Sequence, residues 1–244
     1  MNDENMEKLR VSQAASILGV SPQTVRNWEK LGRITSQRSS GGQRYFLLSD
    51  VQRLAVDLPK LAWAWASSAQ PPTIPTEYYC DRPDRFTSRL EKMGSVLYAL
   101  SGAQAKDLAS LLTQVAGEIG DNSFAHNIGN WLDVVGIFFA FDAQKRMIVL
   151  ADRGRGVRAT LQQVRPSISS DEEAVRIAFT ETLSGRSPEK RGNGLKLVRK
   201  IAETNPIGLT FNSGMAQVVI PANGNMHLTT EGRNVRGVVA VITF

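Results

Sequence analysis

Leu108, Leu111, Leu112, Val115 and Ile119 recur at steps of three and four, the spacing of one face of an α-helix. The chain must therefore build a helix with a buried stripe, and something apolar for that stripe to pack on. Glu118, Asn122 and His126 climb the flank of the stripe at steps of four, one turn above another. A carboxylate, an amide and an imidazole are thus held in a row at the lip of a core. Alone, such a row fits the solvated flank of an amphipathic helix. What lies downstream gives it a second reading.

Residues 134–141 and 147–151 are short apolar runs rich in β-branched and aromatic side chains, separated by the polar 142–146. They predict a buried β-hairpin. The second run ends in Asp152-Arg153-Gly154-Arg155-Gly156. A carboxylate at a strand end, followed by alternating glycines, offers one acceptor in a pocket and a backbone able to bend around a ligand. Further on, Arg191-Gly192-Asn193-Gly194 opens a helix with Leu195, Val198 and Ile201 on its buried side. The free N–H groups of that first turn form an anion site, with Lys190 and Arg191 beside it. No Gly-Lys-Ser/Thr follows, and no six-residue glycine fingerprint follows a strand, so a P-loop and a Rossmann site are excluded.

The N-terminal part follows a different pattern. Residues 11–18 predict a short helix stopped by Gly19, which suits a left-handed cap. Ser21 as N-cap and Pro22 at the first helical position open a second helix over 22–31, with Val25, Trp28 and Leu31 inward. Its outward face carries Gln23, Thr24, Arg26, Asn27 and Lys30. Gly41-Gly42 turns a hairpin between two short strands, a wing bearing Arg38 and Arg44, followed by Tyr45. A third helix starts at Ser49, with Val51, Leu54 and Ala55 inward. Between residues 26 and 44 there are five basic side chains, Arg26, Lys30, Arg33, Arg38 and Arg44, against one acid, Glu29. Basic groups so placed suit phosphates, while Gln23, Thr24, Arg26 and Asn27 suit base edges.

The proline-rich 71–75 forbids helix and marks the expected boundary, giving a domain over 1–58, a linker over 59–82 and a second domain over 83–244. Trp63 and Trp65 are two apart, which fits no single helical face, so at least one is expected to pack on another domain or subunit. A helix over 85–100, with Phe86, Leu90, Met93, Val96, Leu97 and Leu100 inward, fits equally a dimer helix or ordinary packing. Composition adds exclusions. One cysteine, Cys80, rules out an internal disulfide and a cysteine-based zinc site, and two histidines leave little for another metal cage. The net charge of +6 fits a polyanionic partner. No apolar run is long enough to span a membrane and the start MNDENMEKLR lacks signal-peptide regions, so a cytoplasmic protein with no membrane partner is expected.

Over residues 10–55, Val11, Ala14, Ala15, Leu18-Gly19-Val20-Ser21, Thr24-Val25-Arg26-Asn27-Trp28, the wing Gly41-Gly42-Gln43-Arg44-Tyr45-Phe46 and the ending 48–54 resemble the winged helix-turn-helix of MerR-type regulators and phage excisionases. The resemblance implies binding to double-stranded DNA, usually as a homodimer on an inverted repeat. Over about 105–244, the three pieces in order resemble the N, G1 and G2 boxes of the GHKL superfamily, which includes gyrase B, histidine kinases, anti-sigma kinases and MutL. That resemblance implies an α+β chain whose C-terminal domain is a Bergerat-fold α/β sandwich, with a mixed, mainly antiparallel sheet and helices on one face. It implies ATP and Mg2+ as cofactors. Asn122 would coordinate the magnesium, Asp152 would accept from the adenine amino group, and Gly154, Gly156, Gly192 and Gly194 would line the nucleotide. Glu118 holds the place of the general base in hydrolysing members, and Asp121 that of an extra acid in gyrase-like boxes. His126 falls near the phosphates or caps its helix.

Residues 157–191 would form the lid, with Ser170 and Glu173 as a capping box opening a helix to about Leu183, closed by Ser184-Gly185. Arg186, Lys190 and Arg191 would close on phosphates or remain solvated loop charge. Ala125 replaces a lysine common in kinases, and Val238 stands where many members have a threonine. Only His126 and His227 could accept a phosphoryl group, so histidine autophosphorylation is not expected. The expected function is a DNA-binding regulator controlled by ATP binding, with or without slow hydrolysis. A serine/threonine protein kinase of the anti-sigma type and a DNA-tethered processing or defence ATPase are the rival readings.

Overall fold

Gly19 takes φ 66° and Ser21 accepts the Thr24 N–H at 3.1 Å, so the first tight turn of the chain forms as its sequence dictates. The computed structural model describes residues 7–100, 106–181, 194–230 and 232–244. The chain divides into two units, Met1–Asp57 and Leu58–Phe244.

The first unit holds β1 (Lys8–Leu9), α1 (Val11–Leu18), α2 (Pro22–Lys30), β2 (Gln37–Arg38), β3 (Arg44–Leu47) and α3 (Leu48–Ala55). Its three strands form an antiparallel sheet in the order β1-β3-β2. The wing turn is closed by the Ser39 N–H donating to the Gln43 carbonyl at 2.8 Å, with Gly42 at φ 76°. Leu9, Ala14, Ala15, Val25, Ile34, Phe46 and Val51 form the buried core. Three details depart from expectation. The chain passes from β3 directly into α3, so the helix starts at Leu48 without a side-chain cap and Ser49 lies inside it. Ala55 is exposed at the end of α3. Leu31 is 70% exposed, because the chain leaves α2 there to turn at Gly32 (φ 70°).

The second unit runs α4 (Leu58–Ser67), a 3-10 turn (Thr76–Tyr78), β4 (Tyr79–Cys80), α5 (Pro83–Leu100), α6 (Lys106–Asn127), β5 (Ile137–Asp142), β6 (Met147–Asp152), α7 (Gly156–Gln162), α8 (Asp171–Thr180), α9 (Gly194–Thr204), β7 (Gly208–Gly214), β8 (Ala216–Ile220), β9 (His227–Thr229) and β10 (Val235–Thr243). The fold is α+β. The sheet order is β4-β5-β6-β10-β7-β8-β9. Among the described residues every pairing is antiparallel, so the sheet is not mixed. The last strand, β10, occupies the centre.

Residues 59–82, read from the proline run as a linker, belong to this unit. Leu58, Ala62, Trp65 and Ala66 are buried, and β4 pairs with β5 through Tyr79↔Phe138 and Cys80↔Ile137. The apolar face of α4 decides the matter; the prolines only keep 71–75 free of helix and strand. Trp65 packs within its own unit, with ring centroids 6.4 Å from both Tyr79 and Phe138.

Side chains alternate across a strand, so β5 and β6 present two faces. Ile137, Phe139, Ile148 and Leu150 join the large core with Leu112, Val115 and Ile119 of α6 and with residues of α5, α8 and α9. Phe138 points the other way, toward Trp65 of α4. Helices therefore cover both faces here, where one was expected, and the continuous apolar runs of β5 and β6 match strands buried on both sides. α5 packs along α6 and buries Phe86, Met93 and Leu97, while Leu100 is 69% exposed. The described part of the expected lid, residues 157–181, is packed rather than loose. Ala174, Val175, Ile177 and Phe179 of α8 are buried, and Phe179 meets Phe211 of β7 edge-on. Ser170 caps α8 as expected, but the Glu173 carboxylate accepts from the Ser169 N–H, and the helix ends at Thr180. No helix among the described residues is long and apolar enough to cross a membrane.

Candidate functional site

Asp152 ends β6 with 2% of its surface exposed. Its Oδ2 accepts from the Ser123 hydroxyl of α6 at 2.7 Å, and its Oδ1 accepts from the Gly154 N–H at 2.9 Å. Burial pushes the carboxyl above its ordinary range, against the opposing pull of hydrogen bonds from Ser123 and the backbone of Gly154 and Val238. A buried carboxylate with this surrounding is expensive as structure alone and suits an acceptor for a ligand's N–H.

The backbone around it is packed too tightly for side chains. A Cβ on Gly237 of β10 would lie 2.2 Å from Asp152 Oδ1 and 2.4 Å from its backbone oxygen. A Cβ on Gly154 would lie 2.1 Å from Asn127 Nδ2. Asn127, itself buried, donates to the Ser123 carbonyl at 2.8 Å and accepts the Arg155 N–H at 3.0 Å, so it clamps the loop after β6 onto the end of α6. Gly156 (φ 77°) starts α7, where the Val157 N–H donates to Ser213 Oγ at 2.9 Å. Val238 pairs directly with Asp152 across β10 and β6.

Glu118, Asn122 and His126 are half-buried on α6. Gly194, the first residue of α9, is drawn against two of them. A Cβ there would stand 2.6 Å from Glu118 Oε2 and 3.1 Å from Asn122 Nδ2. The start of α9 thus meets the polar row on α6, while Ser123, the residue after Asn122, reaches Asp152. Lys190, Arg191 and Gly192, with Ser184, Gly185 and Arg186, lie outside the described residues. A groove between α5 and α6 also touches Glu118 and Asp121, but its lining includes neither Asn122 nor Asp152. No cluster of three or more His, Cys, Asp or Glu among the described residues is suited to hold a metal.

On the opposite face of the sheet, Arg153 is fully buried. It donates through Nε and Nη2 to Asp133 at 3.0 and 2.5 Å, and through Nη1 to the carbonyls of Trp65 and Ala66. The Arg153 guanidinium holds the Asp133 carboxyl below the usual range.

In the first unit, Gln23, Arg26, Asn27 and Lys30 are exposed on α2. Gln23 Nε2 donates to Asn27 Oδ1 at 3.2 Å, and Arg26 lies against Gln23 Oε1 at 3.4 Å, so the three form one polar surface. Thr24 is half-buried beside Ser21 at 2.9 Å, on the capping side of the helix. Arg38 donates to the Gly42 carbonyl at the wing tip. Arg44 bonds Glu29 of α2 at 2.7 Å, and Tyr45 is half-buried, with its hydroxyl on Gln37 at 2.7 Å and Lys8 over its ring at 4.7 Å. Arg44 therefore ties the wing to α2, and Tyr45 braces it within the three-stranded sheet.

Residues 10–46 match the model of the MerR family regulatory proteins. The match covers α1, α2 and the wing and supports a DNA-binding domain of MerR type in the first unit. It includes none of the second unit. No curated protein and no solved structure is similar enough to the chain to count as a match.

Sequence reasoning passed over Ser123, Asn127, Ser213 and Gly237. The first two had a signal: Ile119, Ser123 and Asn127 continue the buried stripe at steps of four, so two polar side chains stand where apolar ones belong. Ser213 and Gly237 meet only through the pairing of β7 with β10, which no local pattern announces.

Proposed function

We propose that the protein is a DNA-binding regulator whose MerR-type domain is controlled by ATP binding in the second unit. The meeting of Gly194 with Glu118 and Asn122, beside a buried Asp152 whose neighbours 154 and 237 must be glycine, carries this reading. In the resemblance to GHKL proteins, Glu118 with Asn122, Asp152 with Gly154, and Gly194 belong to three separate boxes. They converge here from α6, β6 and α9.

Asp152 accepts the exocyclic amine of adenine, and Ser123 and the Gly154 N–H hold its two oxygens in place. Asn122 supplies an amide oxygen to the magnesium that accompanies the phosphates, a hard ligand for a hard ion. The lack of a side chain at Gly194 lets the start of α9 approach Glu118 and Asn122 closely, and a phosphate would bind at that helix start. When bound, ATP would supply the phosphate charge, and Asn122 and Glu118 are the residues of this chain that would face its magnesium. Glu118 stands next to that position with its carboxylate, the group a hydrolysing member would use to orient water. The protein acts on double-stranded DNA as a homodimer, with α2 in the major groove and Gln23, Arg26 and Asn27 toward base edges.

Isothermal titration with Mg-ATP, followed by DNA-binding assays with and without nucleotide, tests the reading. Wild type binds ATP, and Asn122→Ala and Asp152→Asn lose most of that affinity. A wild-type protein with no affinity for ATP contradicts it.

A further inference from the structure

Arg153 follows Asp152 in the chain, and the two side chains leave the sheet on opposite faces. Asp152 turns to Ser123 on α6, and Arg153 turns to the last turn of α4. A helix leaves its final carbonyls without intrahelical partners and with the negative end of its dipole. At the end of α4 the Ser68 N–H serves Ala64 and the Ser67 hydroxyl serves Trp63, while Arg153 takes Trp65 and Ala66. The other edge of its guanidinium holds both oxygens of Asp133. Asp133 Oδ2 also accepts from Arg236 at 2.6 Å, and Arg236 precedes Gly237, whose backbone lies against Asp152. Both chain segments that frame the Asp152 carboxylate are therefore tied to the end of α4 through one planar, fully buried cation.

The position of α4 in the sequence gives this connection a consequence. α3 of the MerR-type domain ends at Ala55, and α4 begins at Leu58. The helix gripped by Arg153 is the first element after the DNA-binding unit.

We infer that Arg153 is the positioning residue that couples ligand binding at Asp152 to α4, and through the short junction 56–57 to the DNA-binding unit. This rests on the nucleotide reading above. A ligand on Asp152 that displaces the 152–154 turn would shift the backbone that carries the guanidinium. The fork transmits the shift because its hydrogen bonds to Asp133 and to two α4 carbonyls fix its plane. A lysine keeps the charge but satisfies fewer of these acceptors and fixes no plane. Coupling of this kind requires that nucleotide have different affinities for two arrangements of the chain, and it is reciprocal.

The test uses the full chain and a DNA duplex selected from a random library. DNA affinity is measured with and without saturating Mg-ATP, and ATP affinity with and without that duplex. In wild type the two ratios are equal and differ from one. In Arg153→Lys both ratios fall together toward one. Loss of hydrogen bonds from a buried guanidinium lowers the melting temperature in either case; a merely structural role would leave the ratios unchanged. Insertion of Gly-Ser-Gly-Ser between Asp57 and Leu58 leaves the Arg153 network intact and is expected to abolish the ratios equally, which covers the case in which Arg153→Lys does not fold. Wild-type ratios retained in the insertion variant, or in a folded Arg153→Lys, overturn the inference. Absence of ATP binding in wild type overturns the nucleotide reading itself, and is seen before any variant is made.

Discussion

Asp152 is the residue at which structure and chemistry conflict most openly. Its ionised form is disfavoured by burial, and Ser123 and Gly154 offset only part of that cost. Because the folded pKa lies above the unfolded one, its contribution to stability is complete below the unfolded value of about 3.9. That contribution is lost as pH rises through the folded value. Asp152→Asn escapes the loss. The Ser123 hydroxyl can turn to donate to the Ile119 carbonyl, 3.2 Å away, and accept from the new amide. The substitution is therefore expected to raise the melting temperature at neutral pH, by about 2–4 °C for each kcal/mol recovered in a unit of this size, with the gain shrinking toward pH 4. Thermal melts of the two proteins across pH check this. The same ionisation governs binding. An adenine amine needs the charged carboxylate, so ATP affinity is expected to hold above the raised pKa and to fall as pH drops through it. Titrations at several pH values should show that slope in wild type.

At the scale of elements, α6 does two jobs. Its apolar stripe anchors the core, and its polar positions reach both β6 and α9. Much of this was legible in the sequence, because spacing along one helix fixes which residues share a face: Glu118 and Asn122 stand together as their four-residue step requires. The position of Asp152 at a strand end was equally readable. Residues 59–82 were misread, since a proline run is a loud local signal and the burial of Ala62 and Trp65 depends on a sheet assembled from distant strands. The contacts of Gly194 and Gly237 were beyond reach for the same reason. They now separate two kinds of substitution. Gly237→Ala drives a Cβ into Asp152, including its backbone oxygen, and is expected to cost about 2 kcal/mol or more and to abolish ATP binding. Gly194→Ala meets the movable end of Glu118, so it should weaken ATP binding with a stability change under about 1 kcal/mol. Chemical denaturation paired with titration measures both.

For the whole molecule, the +6 charge and the exposed basic side chains of α2 and the wing suit phosphate contact with DNA. Lys30→Ala is expected to weaken binding about equally on all sequences and to lower the salt slope by about one. Asn27→Ala should instead relax sequence preference, at about 1–3 kcal/mol on the best site. Arg44 is held by Glu29, so Arg44→Ala is expected to act by loosening the wing as well as by removing charge. Binding isotherms over a range of salt separate these effects. The most direct measurement is calorimetric titration of the full chain with Mg-ATP, wild type beside Asp152→Asn. The account predicts saturable binding to the wild type and its loss in a variant that melts at the same temperature or higher. Equal binding by both proteins, or none by the wild type, would contradict it.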